Sequence, residues 1–223
     1  MKQMLFITGT DTGVGKTVLT ALLTRFLRGR GVNAAALKPV CSGGRSDARA
    51  LYAVMDGALP LDLINPWSFR APIAPLLASR KENKHLKCSQ VVTHTRGLQR
   101  RFDVILVEGA GGLLSPLGEG FDSRDLISAL RATPLIVASN KLGVVNHILL
   151  TLEALPKNTR RKAKIILMSP ARPDAASKTN RDLLAGFVDA KKIFSLPWLG
   201  KSFDAAQSLK SLRVQRALDA LTE

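Results

Sequence analysis

The stretch Met4-Leu5-Phe6-Ile7-Thr8-Gly9-Thr10-Asp11-Thr12-Gly13-Val14-Gly15-Lys16-Thr17 decides the fold. Its first half, residues 4–8, is a short run with the apolar content of a buried strand. Beyond it, Leu19, Leu22, Leu23, Phe26 and Leu27 recur at helical spacing, which predicts a helix from residue 16 to 28 closed by Gly29 and Gly31. A strand, a glycine-rich loop and a helix in that order form the context a phosphate-binding loop requires. The loop N–H groups of Gly13, Val14 and Gly15 and the helix N-terminus face a phosphate chain with positive potential. Lys16 adds a point charge at the β- and γ-phosphates, and the Thr17 hydroxyl suits Mg²⁺. The strict pattern G-x-x-x-x-G-K-[ST] is missed at one place, where Thr10 stands at the first glycine position and Gly9 precedes it.

The rest of the chain alternates in the same way. Strands are expected at 32–37, 103–107, 135–138, 165–168 and 192–195. Helices are expected at 47–55, 90–101, 122–130 and 146–155, followed by a weak helix and a C-terminal one. Residues 60–75 hold Pro60, Pro66, Pro72 and Pro75 and read as irregular. The alternation predicts an α/β fold: a mostly parallel sheet with helices on both faces, of the phosphate-loop NTPase type, in one domain spanning residues 1–223. Ligands of such sheets lie beyond the carboxyl ends of the strands, so the ends at Thr8, Leu37 and Val107 are where chemistry is expected.

Composition narrows the class. The chain has 223 residues, 46% of them hydrophobic, enough for a sizeable core. Two cysteines, Cys41 and Cys88, leave no disulfide framework or multi-cysteine metal site. No apolar run approaches the roughly 20 residues of a membrane span, and no secretion leader is read at MKQMLFITGT, so a cytoplasmic location is expected. The net charge of +16 favours anionic partners. Yet the excess is spread along the chain, with 19 basic and 10 acidic side chains up to residue 150 and 14 and 7 beyond it. Aromatic residues make up only 5%, so no base-stacking platform is evident and nucleic acid is not the expected partner.

Two strand ends carry charged residues. Lys38 follows the second strand in Lys38-Pro39-Val40-Cys41-Ser42-Gly43, placed to neutralise charge beside a γ-phosphate. Ser42 offers a hydroxyl to a polar substrate. Glu108 ends the strand Asp103-Val104-Ile105-Leu106-Val107 and precedes Gly109-Ala110-Gly111-Gly112, whose backbone a ligand can approach closely. With Asp47 at a helix start, Thr17 and Glu108 form a sufficient set for Mg²⁺, which takes one or two carboxylates and keeps its waters. His85, His94 and His147 lack metal-ligand spacing, and Cys41 has no base partner. Asn140-Lys141-Leu142-Gly143 begins like a guanine-reading signature but lacks its aspartate. Asp11 stands where partition and septum-site ATPases carry a second lysine. That weighs against a partition-like nucleotide switch binding DNA or membrane, which the basic surface keeps as the alternative reading.

Taken together and in order, GTDTGVGKT at 9–17, KPVCSG at 38–43, SDA at 46–48, VEGAGG at 107–112, NKLGVVNH at 140–147 and LPWLG at 196–200 resemble the dethiobiotin synthetases. The resemblance runs over about residues 3–200. It implies a homodimer that uses ATP and Mg²⁺ to close the cyclic urea of dethiobiotin from 7,8-diaminopelargonate and CO₂, through a carbamate and a phosphorylated carbamate. It implies Lys16, Lys38 and Thr12 as catalytic residues, with Thr12 and Ser42 beside carbamate and substrate. By the same resemblance Thr17, Asp47 and Glu108 hold Mg²⁺. Gly143, Val144, Val145 and Asn146 bind the substrate carboxylate across the subunit interface, and Pro197, Trp198 and Leu199 lie near the nucleotide base. The chain departs from the family at Met168-Ser169-Pro170, where an Asn-Asp pair that helps read adenine is common, and at Leu76, where a histidine is common. Methionine has no amide edge, so broader nucleotide selection is expected.

Overall fold

The computed structural model describes residues 2–222. Its strands are β1 (Gln3–Gly9), β2 (Ala34–Leu37), β3 (Val40–Ser42), β4 (Trp67–Phe69), β5 (Val104–Glu108), β6 (Thr133–Ser139), β7 (Lys164–Met168) and β8 (Ile193–Leu196). The helices run α1 (Lys16–Gly29), α2 (Ser46–Ala53), α3 (Leu61–Ile64), α4 (Pro75–Lys81), α5 (Cys88–Gln99) and α6 (Ser123–Leu130). They continue as α7 (Val144–Glu153), α8 (Lys157–Arg160), α9 (Ala175–Ala185), α10 (Ala205–Ser208) and α11 (Leu212–Thr222).

Six strands form one sheet in the order β2-β5-β1-β6-β7-β8, and every pairing is parallel. The sequence of the central strands explains their place. All five residues of β5 and six of the seven in β1 are buried, as strands covered on both faces must be. One helical layer is built on α1, which packs against α2, α10 and α11, and another on α5 and α6; α1 and α6 both lean on β1. The inward stripe of α1 is the one read from spacing: Leu19, Leu22, Leu23, Phe26 and Leu27 are all buried. Each such side chain contributes about 1.5–3 kcal/mol.

The differences from the expected boundaries have local causes. The second strand begins at Ala34, not residue 32, because Gly31 N–H and Val32 N–H turn back to the carbonyls of Arg28 and Leu27 and finish α1. The helix expected from residue 146 starts at Val144, since Gly143 takes a left-handed conformation (φ 86°) and turns the chain into it. The proline-rich stretch expected to be irregular holds α3 and β4. There β3 and β4 form a separate parallel pair, Val40 opposite Trp67 and Ser42 opposite Phe69. Pro75 begins α4, where its missing N–H costs nothing.

The sheet reverses direction of build at β1, with β5 on one side and β6 on the other. The crevice beyond the carboxyl end of β1 is the ligand position such a reversal creates. The ends of β2 and β5 border it on the same side.

Candidate active site

The loop between β1 and α1 occupies that crevice. Gly15 has φ 100°, a conformation closed to most side chains, and the side chain of Met168 lies against it: a Cβ there would come within 3.1 Å of Met168 Cε. Lys16 Nζ curls back to donate to the Asp11 carbonyl at 2.8 Å. Burial and then the charge of Lys38 lower its pKa to about 8, against the pull of Glu108, Asp47 and Asp11. The loop thus holds a cation whose charge its buried surroundings and Lys38 disfavour and an anion would favour.

Lys38 follows the edge strand β2 yet is only 3% exposed. Its Nζ reaches Glu108 Oε1 at 2.6 Å, Asp47 Oδ2 at 3.0 Å and the Gly109 carbonyl at 3.0 Å. Burial opposes its charge, but the two carboxylates outweigh burial and raise its pKa above the usual lysine value. Thr17 Oγ1 donates to the same Glu108 Oε1 at 2.8 Å, so three of the expected site residues meet on one oxygen. The other oxygen, Oε2, is buried without a hydrogen-bond partner. An orphaned buried carboxylate oxygen beside a threonine hydroxyl and a second carboxylate is a hard-oxygen set that fits Mg²⁺. Among the described residues no group of three His, Cys, Asp or Glu side chains could cage a metal unaided. Mg²⁺ at phosphates needs no such cage.

Around these groups lies a cleft of about 760 Å³. Thr12, Gly13, Gly15, Lys16, Thr17, Lys38, Ser42, Asp47 and Glu108 all line it. Its opposite wall is apolar, made by Pro72, Ile73, Ala74, Pro75, Ala110 and Pro116. The cleft therefore has a cationic and oxygen-rich floor facing an aliphatic wall. Gly111 completes the loop after β5 at φ 69°, and a Cβ there would meet Ser115 Oγ at 2.3 Å.

Not every expected residue joins them. The Val14 side chain is buried in the core, which leaves only its backbone to the loop. Pro197, Trp198 and Leu199 line a different groove of about 360 Å³, with Ser202, Asp204 and Arg213. Trp198 is half exposed there. Gly143, Val144, Val145 and Asn146 form the start of α7 and line neither cleft nor groove. Val144 is buried and Asn146 exposed.

Asn140 is a structural pin: its Nδ2 donates to the Ser177 carbonyl and its Oδ1 accepts from Asn180 Nδ2, both at 2.8 Å. These contacts commit one N–H and one carbonyl lone pair of its amide and fix its orientation. The Cys41 thiol is buried and bonds to the Gly44 carbonyl and Asn65 Oδ1. His85 pairs with Glu119 at the surface, and His94 bonds to the Leu63 carbonyl. Sequence reasoning missed Arg45 and Asn65, whose side chains anchor the Lys38 segment. No local pattern distinguishes Asn65 from an ordinary loop asparagine.

A family model described as an AAA domain matches residues 3–205. An ATP-dependent dethiobiotin synthetase BioD of Anaeromyxobacter sp. (strain K) is 40% identical over 93% of this chain and 96% of its own. One from Anaeromyxobacter sp. (strain Fw109-5) is 48% identical over 68% of this chain and 70% of its own. One from Thermodesulfovibrio yellowstonii is 37% identical over 89% and 90%. Among solved structures, a ParA family ATPase from Chlorobium tepidum superposes with a TM-score of 0.60 at 14% identity over the whole of both chains. MinD of the Aquifex aeolicus MinC:MinD complex gives 0.62 at 17%, covering 98% of this chain and 93% of that one. Those likenesses speak for the phosphate-loop fold alone. The relatives at 37–48% identity decide the activity: the chain belongs to the ATP-dependent dethiobiotin synthetases.

Proposed function

We propose that the cleft performs the whole urea-forming sequence, with Lys38 as the central cation, in one phosphate-loop domain spanning residues 1–223. The observation that carries this reading is the convergence of Thr17 and Lys38 on the buried Glu108, with Asp47 on the same Lys38 amine, at the cleft. One amine of 7,8-diaminopelargonate attacks the carbon of CO₂ and loses a proton, giving a carbamate. A carbamate oxygen attacks the γ-phosphorus of ATP and ADP departs. The second amine then attacks the carbamoyl carbon and loses a proton, expelling phosphate and closing the ring.

The carbamate, the nucleotide phosphates and the phosphorylated carbamate are anions that must be brought side by side. The protein's task is to hold them together and neutralise them, which favours fixed cations over a covalent nucleophile. Lys16 is suited to the β- and γ-phosphates, and Lys38 to the oxygens of the carbamate and the transferred phosphoryl group. Thr12 and Ser42 are suited to orient the carbamate and the amines. The apolar wall of Ile73, Pro75 and Pro116 suits the methylene chain of the substrate. Thr17, Asp47 and Glu108 would hold Mg²⁺, which when bound neutralises the phosphate oxygens.

The substrate carboxylate finds no partner built for it on this apolar wall. The helix start at Gly143, Val144, Val145 and Asn146, acting from a second copy in a homodimer, would supply one. Pro197, Trp198 and Leu199 would receive the base. Two free cysteines accord with a cytoplasmic site of action, and no described helix is long and apolar enough to cross a membrane. The deciding experiment incubates the purified protein with Mg²⁺–ATP, bicarbonate and 7,8-diaminopelargonate and looks for dethiobiotin by mass. Product that disappears when any component is omitted is expected; ATP loss without dethiobiotin contradicts the reading.

A further inference from the structure

We propose that Asn65 and Arg45 are positioning residues that lock the Lys38 strand end to the start of α2, so that Lys38 Nζ is aimed at the reacting oxygens. The proposal rests on the reading that Lys38 neutralises charge in the reaction.

The chain leaves β2 at Lys38, whose N–H donates to the Ile64 carbonyl at 3.0 Å. Asn65, 2% exposed, then takes the Lys38 carbonyl itself: its Nδ2 donates there at 2.6 Å and lies 3.5 Å from the Pro39 carbonyl. The Asn65 Oδ1 accepts from Arg45 Nε at 3.2 Å and from the Cys41 thiol at 3.2 Å. The Arg45 fork is further tied by Nη2 to the carbonyls of Leu61 and Asn65 and by Nη1 to Asp62. Arg45 immediately precedes α2, and Asp47 stands in the first turn of that helix. Asp47 Oδ2 closes the circuit at 3.0 Å from Lys38 Nζ.

The links thus run from the Lys38 carbonyl through Asn65, Arg45 and the head of α2 to Asp47 and back to the Lys38 amine. Backbone and side-chain tip of one lysine are held by one ring of contacts. An apolar contact would join these two segments with less desolvation. A carboxamide gripped by a guanidinium fixes distance and direction as well, and a catalytic cation needs both.

The test measures kcat and KM for dethiobiotin formation in Asn65→Ala, Arg45→Gln and Lys38→Ala, and in the doubles that combine Lys38→Ala with each of the others. Misplacing a catalytic group by about 1 Å costs on the order of 100-fold, so Asn65→Ala and Arg45→Gln are each expected to lower kcat about 10- to 100-fold. The KM for ATP is expected to stay unchanged, because the phosphate loop is untouched. Added to Lys38→Ala, neither substitution costs anything further, since both act through Lys38. Arg45→Lys does not rescue, having no fork to grip Asn65.

Wild-type kcat in Asn65→Ala and Arg45→Gln overturns the clamp, and so do losses that multiply with that of Lys38→Ala. A silent Lys38→Ala overturns the reading beneath it instead. Should Asn65→Ala fail to fold by circular dichroism, Arg45→Gln, whose side chain lies at the partly exposed end of the ring, decides by the same criteria.

Discussion

The two halves of the sheet present different surfaces at their carboxyl ends. On the β1–β2–β5 side, Lys38 and Glu108 are buried 2.6 Å apart, with Asp47 at 3.0 Å from the same amine. On the β6–β7–β8 side, the residue against the phosphate loop is Met168, the Asn140 carboxamide is bonded to Ser177 and Asn180, and Trp198 stands half exposed. The first half is rigid and electrostatically specified; the second offers an apolar surface and an aromatic face. Rate should therefore be set on one side and nucleotide affinity on the other, with little selection of the base.

The sharpest way to break this contrast is Glu108→Gln. It removes the charge on which Thr17 and Lys38 converge and should lower kcat by about 100-fold or more. Wild-type turnover in that variant would show that the buried half is not the chemical half.

Next in size is a pH effect. Lys16 has a pKa of about 8, so kcat/KM for ATP should fall by roughly tenfold per pH unit above it. Lys16→Arg, which keeps its proton, should remove that limb if the guanidinium fits. Stability should move the other way. The native state releases the Lys16 proton near pH 8 and the unfolded chain near 10.4, so between these values the unfolded state binds more protons and stability rises with pH. Thermal melts across that window check the sign.

Smaller effects belong to the open half. Trp198→Ala should raise the nucleotide KM about tenfold for every base, the worth of one stacking contact, and leave kcat alone. GTP and CTP should support dethiobiotin formation with kcat/KM within about tenfold of ATP. Met168→Asn should tilt that ratio toward ATP by about fivefold, the net value of one hydrogen bond. A wild-type enzyme that uses ATP alone would erase the difference between the halves.

This division also marks what could be read from the residues. The phosphate loop, Lys38 and Glu108 were legible because each directly follows an apolar run, and the carboxyl ends of parallel strands are where ligands sit. Six parallel strands followed from the same alternation. The β3–β4 pair was not legible: three-residue strands are too short to show a period, and prolines at 60, 66, 72 and 75 mask them. Neither was Asn65, whose partners Lys38 and Arg45 are 27 and 20 positions away. The bonds of Asn140 to Ser177 and Asn180 are likewise tertiary, 37 and 40 positions away, and its local sequence does not show them.

The most direct test of the central claim is kcat for dethiobiotin formation by Lys38→Ala at saturating substrates, measured with ATP and with GTP. A loss of about 100- to 1,000-fold is expected, the cost of one preorganised charge-stabilising donor, by the same factor with either nucleotide and with the fold intact by circular dichroism. Undiminished turnover, or a loss that depends on the base, would contradict it.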